Sequence, residues 1–358
     1  MSYLPFVKRI FFKEGLPVQL IFFVTSRCNM RCAHCFLWRE LNLPTDELSI
    51  SEVERIAGTI PTLLSLSLTG GEPFLRPDLP ELAHAFCSRT RVKHMTVFSN
   101  GLTPERVASM LERIALSCAP TKVSFGTSLE GLGADHDRVR GLPGAFDRTV
   151  ETIRQVVKLK ERLPNLSVGV VTTFNAKTQH SLQAISELVL RELKADDHTI
   201  TLIRGDVKEP RLKELDISLY EKFFRDKREA LKLDGSERSL LGCIITAREL
   251  VASGVIAKVH KEGKRIIPCY GGRLTAILRE NGDVYPCEML SNRMGNIRDF
   301  NYNFPRLWSS RQAEEVRDFI DKTKCACTYE CVLTPNLLFN VRNYPALLKE
   351  VLGLKLKR

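Results

Sequence analysis

Three cysteines stand within eight residues, Cys28-Asn29-Met30-Arg31-Cys32-Ala33-His34-Cys35, spaced C-x3-C-x2-C. They directly follow an apolar β-type run that ends at Val24. Three thiolates on one loop can bind three irons of a [4Fe–4S] cube and leave the fourth iron open to a small molecule. Ferredoxin-type carriers supply four thiolates instead. A second group, Cys269, Cys287, Cys325, Cys327 and Cys331, lies near the C-terminus and ends C-x-C-x3-C. Four thiolates suit an iron–sulfur cube or a tetrahedral zinc ion. Cys87, Cys118 and Cys243 sit in apolar helical text and read as core residues. The histidines are scattered, and only His34 has a placed role.

The elements that must position these thiols follow from periodicity. From residue 18 the chain alternates apolar β-type runs with helical patterns, six units in all, which implies a parallel sheet. Strands are expected near 18–24, 64–68, 95–98, 122–126, 166–171 and 199–203, with helices near 50–60, 78–89, 103–116, 144–162 and 179–193. Ser49 and Glu52 form a capping-box pattern before the first of these helices. Sites in such sheets form at the C-terminal strand ends. The cysteine loop, Gly70-Gly71-Glu72-Pro73 and Ser99-Asn100-Gly101 all fall there. The glycines let the backbone approach a ligand closely, and the turn's carbonyls or Glu72 can accept from an ammonium. Pro210 opens a charged helical bridge, and a hairpin turning at Asn281-Gly282 follows. Residues 344–352 read as a final helix. The basic amphipathic lead-in with Phe6, Ile10, Phe11 and Phe12 reads as a cap over the barrel floor, with a weak membrane-surface contact as the sharper alternative.

Composition bounds the rest. The 358 residues, 44% hydrophobic and 27% charged, can hold one large barrel-like domain plus an appendage. A formal charge of +11 suggests an anionic partner or, more plainly, a basic solvated exterior. No apolar run reaches the roughly 18 residues that span a bilayer. The start, Met1-Ser2-Tyr3-Leu4-Pro5, lacks the pattern of a secretion signal, so a cytoplasmic location is expected. Eleven cysteines in such a chain argue for metal or redox use rather than disulfides.

The C-x3-C-x2-C loop resembles the signature of the radical S-adenosylmethionine (SAM) enzymes, with His34 where an aromatic residue usually stands. The Gly-Gly-Glu-Pro turn at 70–73 is similar to the family's turn at the SAM amino group. Ser99-Asn100-Gly101 is similar to its Thr/Ser-Asn-Gly strand end. Ser128-Leu129-Glu130-Gly131, with His136-Asp137 and Arg140-Gly141, resembles the Ser-Leu-Asp-Gly…His-Asp…Arg-Gly run of members that carry a SPASM or Twitch domain; Glu130 departs from the usual Asp. Cys269, Gly282 and Cys287 resemble the C-x(9–15)-G-x4-C opening of that domain. The resemblance implies an α/β fold, a partial (β/α)6 TIM-like barrel with a small C-terminal β-hairpin-plus-helix cluster-binding domain. The expected organisation is a lead-in at 1–17, a core at 18–210, a bridge at 211–264, a cluster domain at 265–335 and a C-terminal helix at 336–358.

The resemblance also implies the site. Cys28, Cys32 and Cys35 would hold the cube, and His34, Gly70, Gly71, Glu72, Ser99, Asn100, Ser128 and Arg140 would hold SAM. Cys269 and Cys287, with two of Cys325, Cys327 and Cys331, would hold one auxiliary [4Fe–4S] cluster. The implied reaction is reductive cleavage of SAM to methionine and a 5′-deoxyadenosyl radical, which abstracts hydrogen from an unidentified substrate. A flavodoxin or ferredoxin-type donor would supply the electron. The substrate stays open among small molecule, peptide and lipid. Two other classes remain: a non-catalytic iron–sulfur electron carrier and a zinc-bearing nucleic-acid binding protein. No RNA-binding motif supports the latter, so no nucleic-acid partner is expected.

Overall fold

The computed structural model describes residues 4–233 and 240–355. The first three residues of the lead-in, 234–239 of the bridge and the last three of the tail lie outside the described residues. Six strands rich in β-branched and aromatic residues run in order: β1 (Gln19–Thr25), β2 (Thr62–Gly70), β3 (Arg91–Ser99), β4 (Lys122–Ser128), β5 (Leu166–Phe174) and β6 (Asp197–Leu202). Helix α1 (Leu4–Phe12) precedes them. Between them run α2 (Ile50–Thr59), α3 (Leu79–Arg89), α4 (Pro104–Ser117), α5 (Ala134–Arg140), α6 (Ala145–Lys160) and α7 (Leu182–Glu187). Two helices, α8 (Ile217–Leu233) and α9 (Leu240–Glu262), lead to β7 (Thr275–Leu278), β8 (Asp283–Tyr285) and β9 (Gly295–Asn296). The chain ends with α10 (Phe304–Trp308), α11 (Arg311–Thr323), α12 (Glu330–Leu338) and α13 (Tyr344–Lys355).

Strands β1 to β6 pair in parallel, each with the next, as right-handed β/α units require. They form an open, partial (β/α)6 barrel. The C-terminal hairpin does not stand apart from it. β7 pairs in parallel with β1, Leu20 opposite Ala276 and Phe22 opposite Leu278, and β8 and β9 follow antiparallel. Among the described residues one sheet therefore runs β6-β5-β4-β3-β2-β1-β7-β8-β9.

Alternation decides which face is core. Leu20, Phe22 and Val24 of β1 pack outward with Val53, Ile56 and Phe86 of the surrounding helices. Many inward positions are small or hydroxylated, such as Ser67, Thr96, Ser124, Ser167 and Gly169, beside larger ones at Ile21, Phe23 and Phe98, and this leaves the barrel interior open. Phe6 of α1 is buried with Val18 and Leu274 at the N-terminal ends of β1 and β7, so the lead-in closes the barrel floor. Phe11 and Phe12 stay exposed.

The helix expected over 179–193 divides. It is α-helical to Glu187, then widens to a π-type turn over Leu188–Glu192. The segment between hairpin and tail, which the pattern analysis assigns to no element, holds α10, α11 and α12. α12 hides from pattern reading because Pro335 lies inside it and apolar residues surround it, so no stripe emerges. α11 carries a readable signal: a Ser310 cap and Ala313, Val316 and Ile320 on one buried face.

The capping box at Ser49 and Glu52 is present, and Glu52 has a second task. One carboxylate oxygen accepts from Ser49 N at 2.8 Å; the other accepts from Arg298 Nε at 2.7 Å and from the Tyr302 hydroxyl at 2.9 Å. The same side chain thus starts α2 and fastens the segment after β9. Arg298 first, then Ser49 and Tyr302, hold this carboxyl at about 2. Glu52→Ala is expected to cost about 2 kcal/mol of stability, read as a lower urea midpoint. A depressed folded pKa means the contribution is present above the ordinary 4.5 and is lost as pH falls through about 2. Midpoints of wild type and variant should therefore converge in acid.

Candidate active site

The cysteine loop leaves the end of β1, where the pairing with β2 slips between Phe23 and Thr25. Four ties hold it. Asn42 Oδ1 accepts from Cys28 N at 2.9 Å, and Asn42 Nδ2 donates to Cys28 O at 3.1 Å. Ala33 N donates to Val139 O at 2.8 Å, and Ala33 O accepts from Glu209 N at 2.8 Å. Asn100 Nδ2 reaches Asn29 Oδ1 at 2.7 Å. Asn42 is a functional position that motif reading missed, since an asparagine fourteen residues downstream carries no signal until the loop folds back.

Cys28, Cys32 and Cys35 line one cavity of about 560 Å³ that runs from the C-terminal strand ends through the barrel interior. Burial raises Cys28 to about 11 and Cys35 to about 12, and it raises Cys32 as well. The neighbouring sulfurs raise them further: Cys32 acts on Cys28, and both act on Cys35. Ionising all three thiols together is costly here, and the metal charge of a bound cluster would offset that cost.

The Gly-Gly-Glu-Pro turn nests against the start of that loop. A Cβ on Gly70, whose φ is +134°, would fall 2.4 Å from Thr25 O, and one on Gly71 would fall 2.1 Å from Arg27 O. Gly71 N donates to Thr25 O and Glu72 N to Arg27 O, each at 2.8 Å. Gly70 and Gly71 line the cavity. Glu72 is turned away from it, 2% exposed, and its carboxylate accepts from Phe74 N, the Ser99 hydroxyl and Asn100 N at 3.1, 3.0 and 2.5 Å. Burial raises its carboxyl to about 7. Of the two acceptors expected in this turn, the backbone faces the ligand space, and Glu72 ties the end of β2 to the end of β3.

Ser99, Asn100, Ser128, Arg140 and His34 also line the cavity. Arg140 ends α5, is 5% exposed, and has its Nε without a hydrogen-bond partner. Burial opposes its charge, but Cys32, Glu130, Cys28 and Glu72 outweigh that and raise its pKa. It is a fixed cation beside the three thiols. His34 is neutral: burial first, then Arg140, lowers it to about 3. Its Nε2 lies 3.5 Å from Glu130 Oε1, while its Nδ1 has no partner. Glu130, the departure from the family's Asp, accepts from Thr173 N at 2.8 Å, and its own N–H donates to His136 Nδ1 at 3.0 Å.

Of the second cysteine group, Cys269, Cys287, Cys327 and Cys331 pack in one cluster, and Cys325 acts on Cys269 and Cys287. Burial raises Cys269, to which Cys325 adds. Burial raises Cys287 to about 11, with Cys269 and Cys325 adding to it. Burial raises Cys327 to about 12, with Cys287 and Cys269 adding to it. N–H groups already aim at these sulfurs: Gly271 N at Cys269, Tyr329 N at Cys327 and Arg265 Nη2 at Cys325, at 3.4, 3.2 and 3.4 Å. Cys331 is set differently. Burial raises it to about 11, its charged neighbours are Glu288, Arg204 and Glu330, and it lines the same cavity as the first three thiols. Cys118 and Cys243 are buried, and Cys87 packs on the main core.

Both cysteine sets present the thiol donors that iron–sulfur clusters take. Among the described residues no three cysteine, histidine or carboxylate side chains gather about one point closely enough for a single ion. A mononuclear zinc site needs sulfurs about 2.3 Å from one centre, whereas a cube takes its ligands at separate corners. No described helix is long and apolar enough to cross a membrane.

Comparison with known proteins agrees with this geometry. The radical SAM superfamily model matches residues 22–189, and the iron–sulfur cluster-binding SPASM domain matches residues 269–331. An AdoMet-dependent heme synthase of Methanosarcina barkeri is 26% identical over 337 residues, covering 88% of this chain and 90% of the relative. The antilisterial bacteriocin subtilosin biosynthesis protein AlbA of Bacillus subtilis is 24% identical over 336 residues, 88% of this chain and 66% of the relative. The structure of Streptococcus suis SuiB bound to S-adenosylmethionine superposes with a TM-score of 0.62 at 15% identity, covering 94% of this chain and 77% of SuiB, a likeness of fold. Matched in this order along a partial barrel whose strand ends carry the cysteines, the chain belongs to the radical SAM superfamily and bears a C-terminal iron–sulfur cluster-binding domain of the SPASM type.

Proposed function

We propose that Cys28, Cys32 and Cys35 hold a [4Fe–4S] cluster and that the rest of the strand-end cavity holds SAM and a substrate. When bound, cluster and SAM supply a 5′-deoxyadenosyl radical that takes a hydrogen atom from the substrate. The observation that carries this reading is that the three thiols and Gly70, Ser99, Ser128 and Arg140 line one cavity. The chain's own residues orient and shield. The Gly70-Gly71 backbone offers carbonyls to the SAM ammonium, and the free Nε of Arg140 offers a charged donor to its carboxylate. Ser128, Ser99 and Asn100 would supply polar contacts to bound SAM, and neutral His34 would add a further wall of the same cavity. Glu72 acts through Ser99 and Asn100 as a positioning residue.

Cys269, Cys287, Cys325 and Cys327 hold one auxiliary [4Fe–4S] cluster, because their sulfurs act on one another while Cys331 faces Glu288 and Arg204. The chain divides into a core at 18–210, a helical bridge at 211–264, a cluster domain at 265–335 and a tail helix. The enzyme works in the cytoplasm with a ferredoxin or flavodoxin-type donor. The relatives' names carry two kinds of chemistry, heme synthesis and bacteriocin biosynthesis.

Reconstituted anaerobically, the protein should hold about eight irons, four per cube, and form 5′-deoxyadenosine with dithionite and SAM. Cys28→Ala should abolish that product; product formation at the wild-type rate sinks the assignment. Cys325→Ala and Cys327→Ala should each lower iron to about four, whereas Cys331→Ala should leave it at about eight, by colorimetric iron assay. Glu72→Ala leaves three buried donors unpaired, each costing about 1–3 kcal/mol. SAM affinity by anaerobic calorimetry should fall about tenfold or more, a loss of about 1.4 kcal/mol.

A further inference from the structure

Where the end of β6, the end of the hairpin and the start of α12 meet, a patch of cavity wall carries polar atoms that the fold does not satisfy. Arg204 is held there on every side but one. Its guanidinium lies 4.4 Å from the Tyr329 ring centroid and 5.3 Å from that of Phe36. Its terminal nitrogens lie 3.3 Å from Glu288 Oε2 and 3.6 Å from Glu330 Oε2. Its Nε–H has no partner. Glu330 uses Oε1 to accept from Leu202 N at 2.8 Å on the edge of β6, and its Oε2 accepts no hydrogen bond. The Tyr329 hydroxyl, on a side chain 1% exposed, lies close to the Glu288 carboxylate and the Cys331 thiol, but no partner meets it at full hydrogen-bond geometry. All of these residues line the cavity that the cysteine loop lines.

One such orphan costs about 1–3 kcal/mol, and buried polar atoms in folded proteins are nearly always paired. Three in one patch mark a site that a ligand completes. The set is mixed: Arg204 Nε and the tyrosine hydroxyl can donate, and Glu330 Oε2 can accept. The missing group must therefore present an acceptor beside a donor. A carboxylate or phosphate offers acceptors alone and would meet Glu288 and Glu330. An ammonium offers donors alone and would meet Arg204.

We propose that Arg204, Tyr329 and Glu330 bind an amide group of the substrate, its carbonyl oxygen accepting from Arg204 and Tyr329 and its N–H donating to Glu330. The inference rests on the radical SAM reading, since it takes this cavity to be the substrate's. The stacking of Arg204 between two rings sets the donor in place before binding, which lowers the ordering cost. The recognised substrate is then a peptide bond or a carboxamide. The anionic small molecule that a charge of +11 suggests does not suit this wall.

Ligand-observed ¹⁹F NMR tests this with SAM-loaded, reconstituted protein and three probes: N-methyltrifluoroacetamide, trifluoroacetamide and trifluoroacetate. At least one amide should bind about fivefold or more tightly than the carboxylate, the equivalent of one net hydrogen bond of about 1 kcal/mol. Tyr329→Phe, which removes a single hydroxyl, and Glu330→Gln, which keeps an acceptor for Leu202 N, should each weaken that amide by about fivefold. Preference for the secondary amide identifies a peptide bond; preference for the primary amide identifies a carboxamide. Trifluoroacetate binding as tightly as the amides, or amide binding untouched by both substitutions, overturns the proposal. The same wild-type sample is assayed for 5′-deoxyadenosine with dithionite. Product without amide preference defeats this inference alone, and no product defeats the radical SAM reading beneath it.

Discussion

Thiol crowding governs this molecule. At the end of β1 three half-buried cysteines stand together, and desolvation raises the cost of ionising each of them, with the neighbouring sulfurs adding to it for Cys28 and Cys35. Two things would help these thiols ionise in place: metal charge that offsets the cost, and a backbone that leaves the loop no alternative shape. The second condition is visible in the ties from Asn42, Val139, Glu209 and Asn100, which come from four separate parts of the chain. The loop is shaped by the whole barrel, which explains why so short a motif needs so large a fold.

β1 also sets the relation between the two cysteine groups. Its outer residues belong to the main core, while Ile21 and Phe23 pack beside Cys287, Tyr329 and Val332. β7 pairs along β1 itself. Both thiol groups are therefore built out from one strand, and their separation cannot drift independently of the sheet. Glu52 works in the same sense, since one carboxylate caps α2 and anchors Arg298 and Tyr302 of the C-terminal segment. The auxiliary region is bonded into the barrel along an edge, and its position at the cavity follows from backbone pairing.

Buried carboxylates divide into braces and contacts. Glu72 has every near donor already engaged and stiffens two strand ends. Glu130 does the same between the end of β4 and Thr173 of β5. Glu330 is engaged on one oxygen only. Their shared residue type hides a difference that only the count of satisfied atoms reveals, and that count separates framework from ligand surface.

Much of the fold was legible because its periodicities are local. Six apolar runs alternating with amphipathic helices require a parallel sheet, and C-x3-C-x2-C requires three thiols on one loop, whatever the packing. The capping box at Ser49 could be read for the same reason, since all its atoms lie within one turn. What lay beyond reading was non-local. Pro335 and an all-round apolar surface concealed α12, and nothing in Thr275-Ala276-Ile277-Leu278 says that it pairs with Gln19–Phe22. The sequence determined which residues could do iron–sulfur chemistry and at which strand ends they sit, because spacing along a strand or loop is set by covalent geometry. Tertiary structure alone decided that Cys331 joins the cavity wall beside Glu288 and Arg204, that Glu72 turns away from the cavity, and that Arg204, Tyr329 and Glu330 meet, because each depends on which distant segments exclude water from the same small volume.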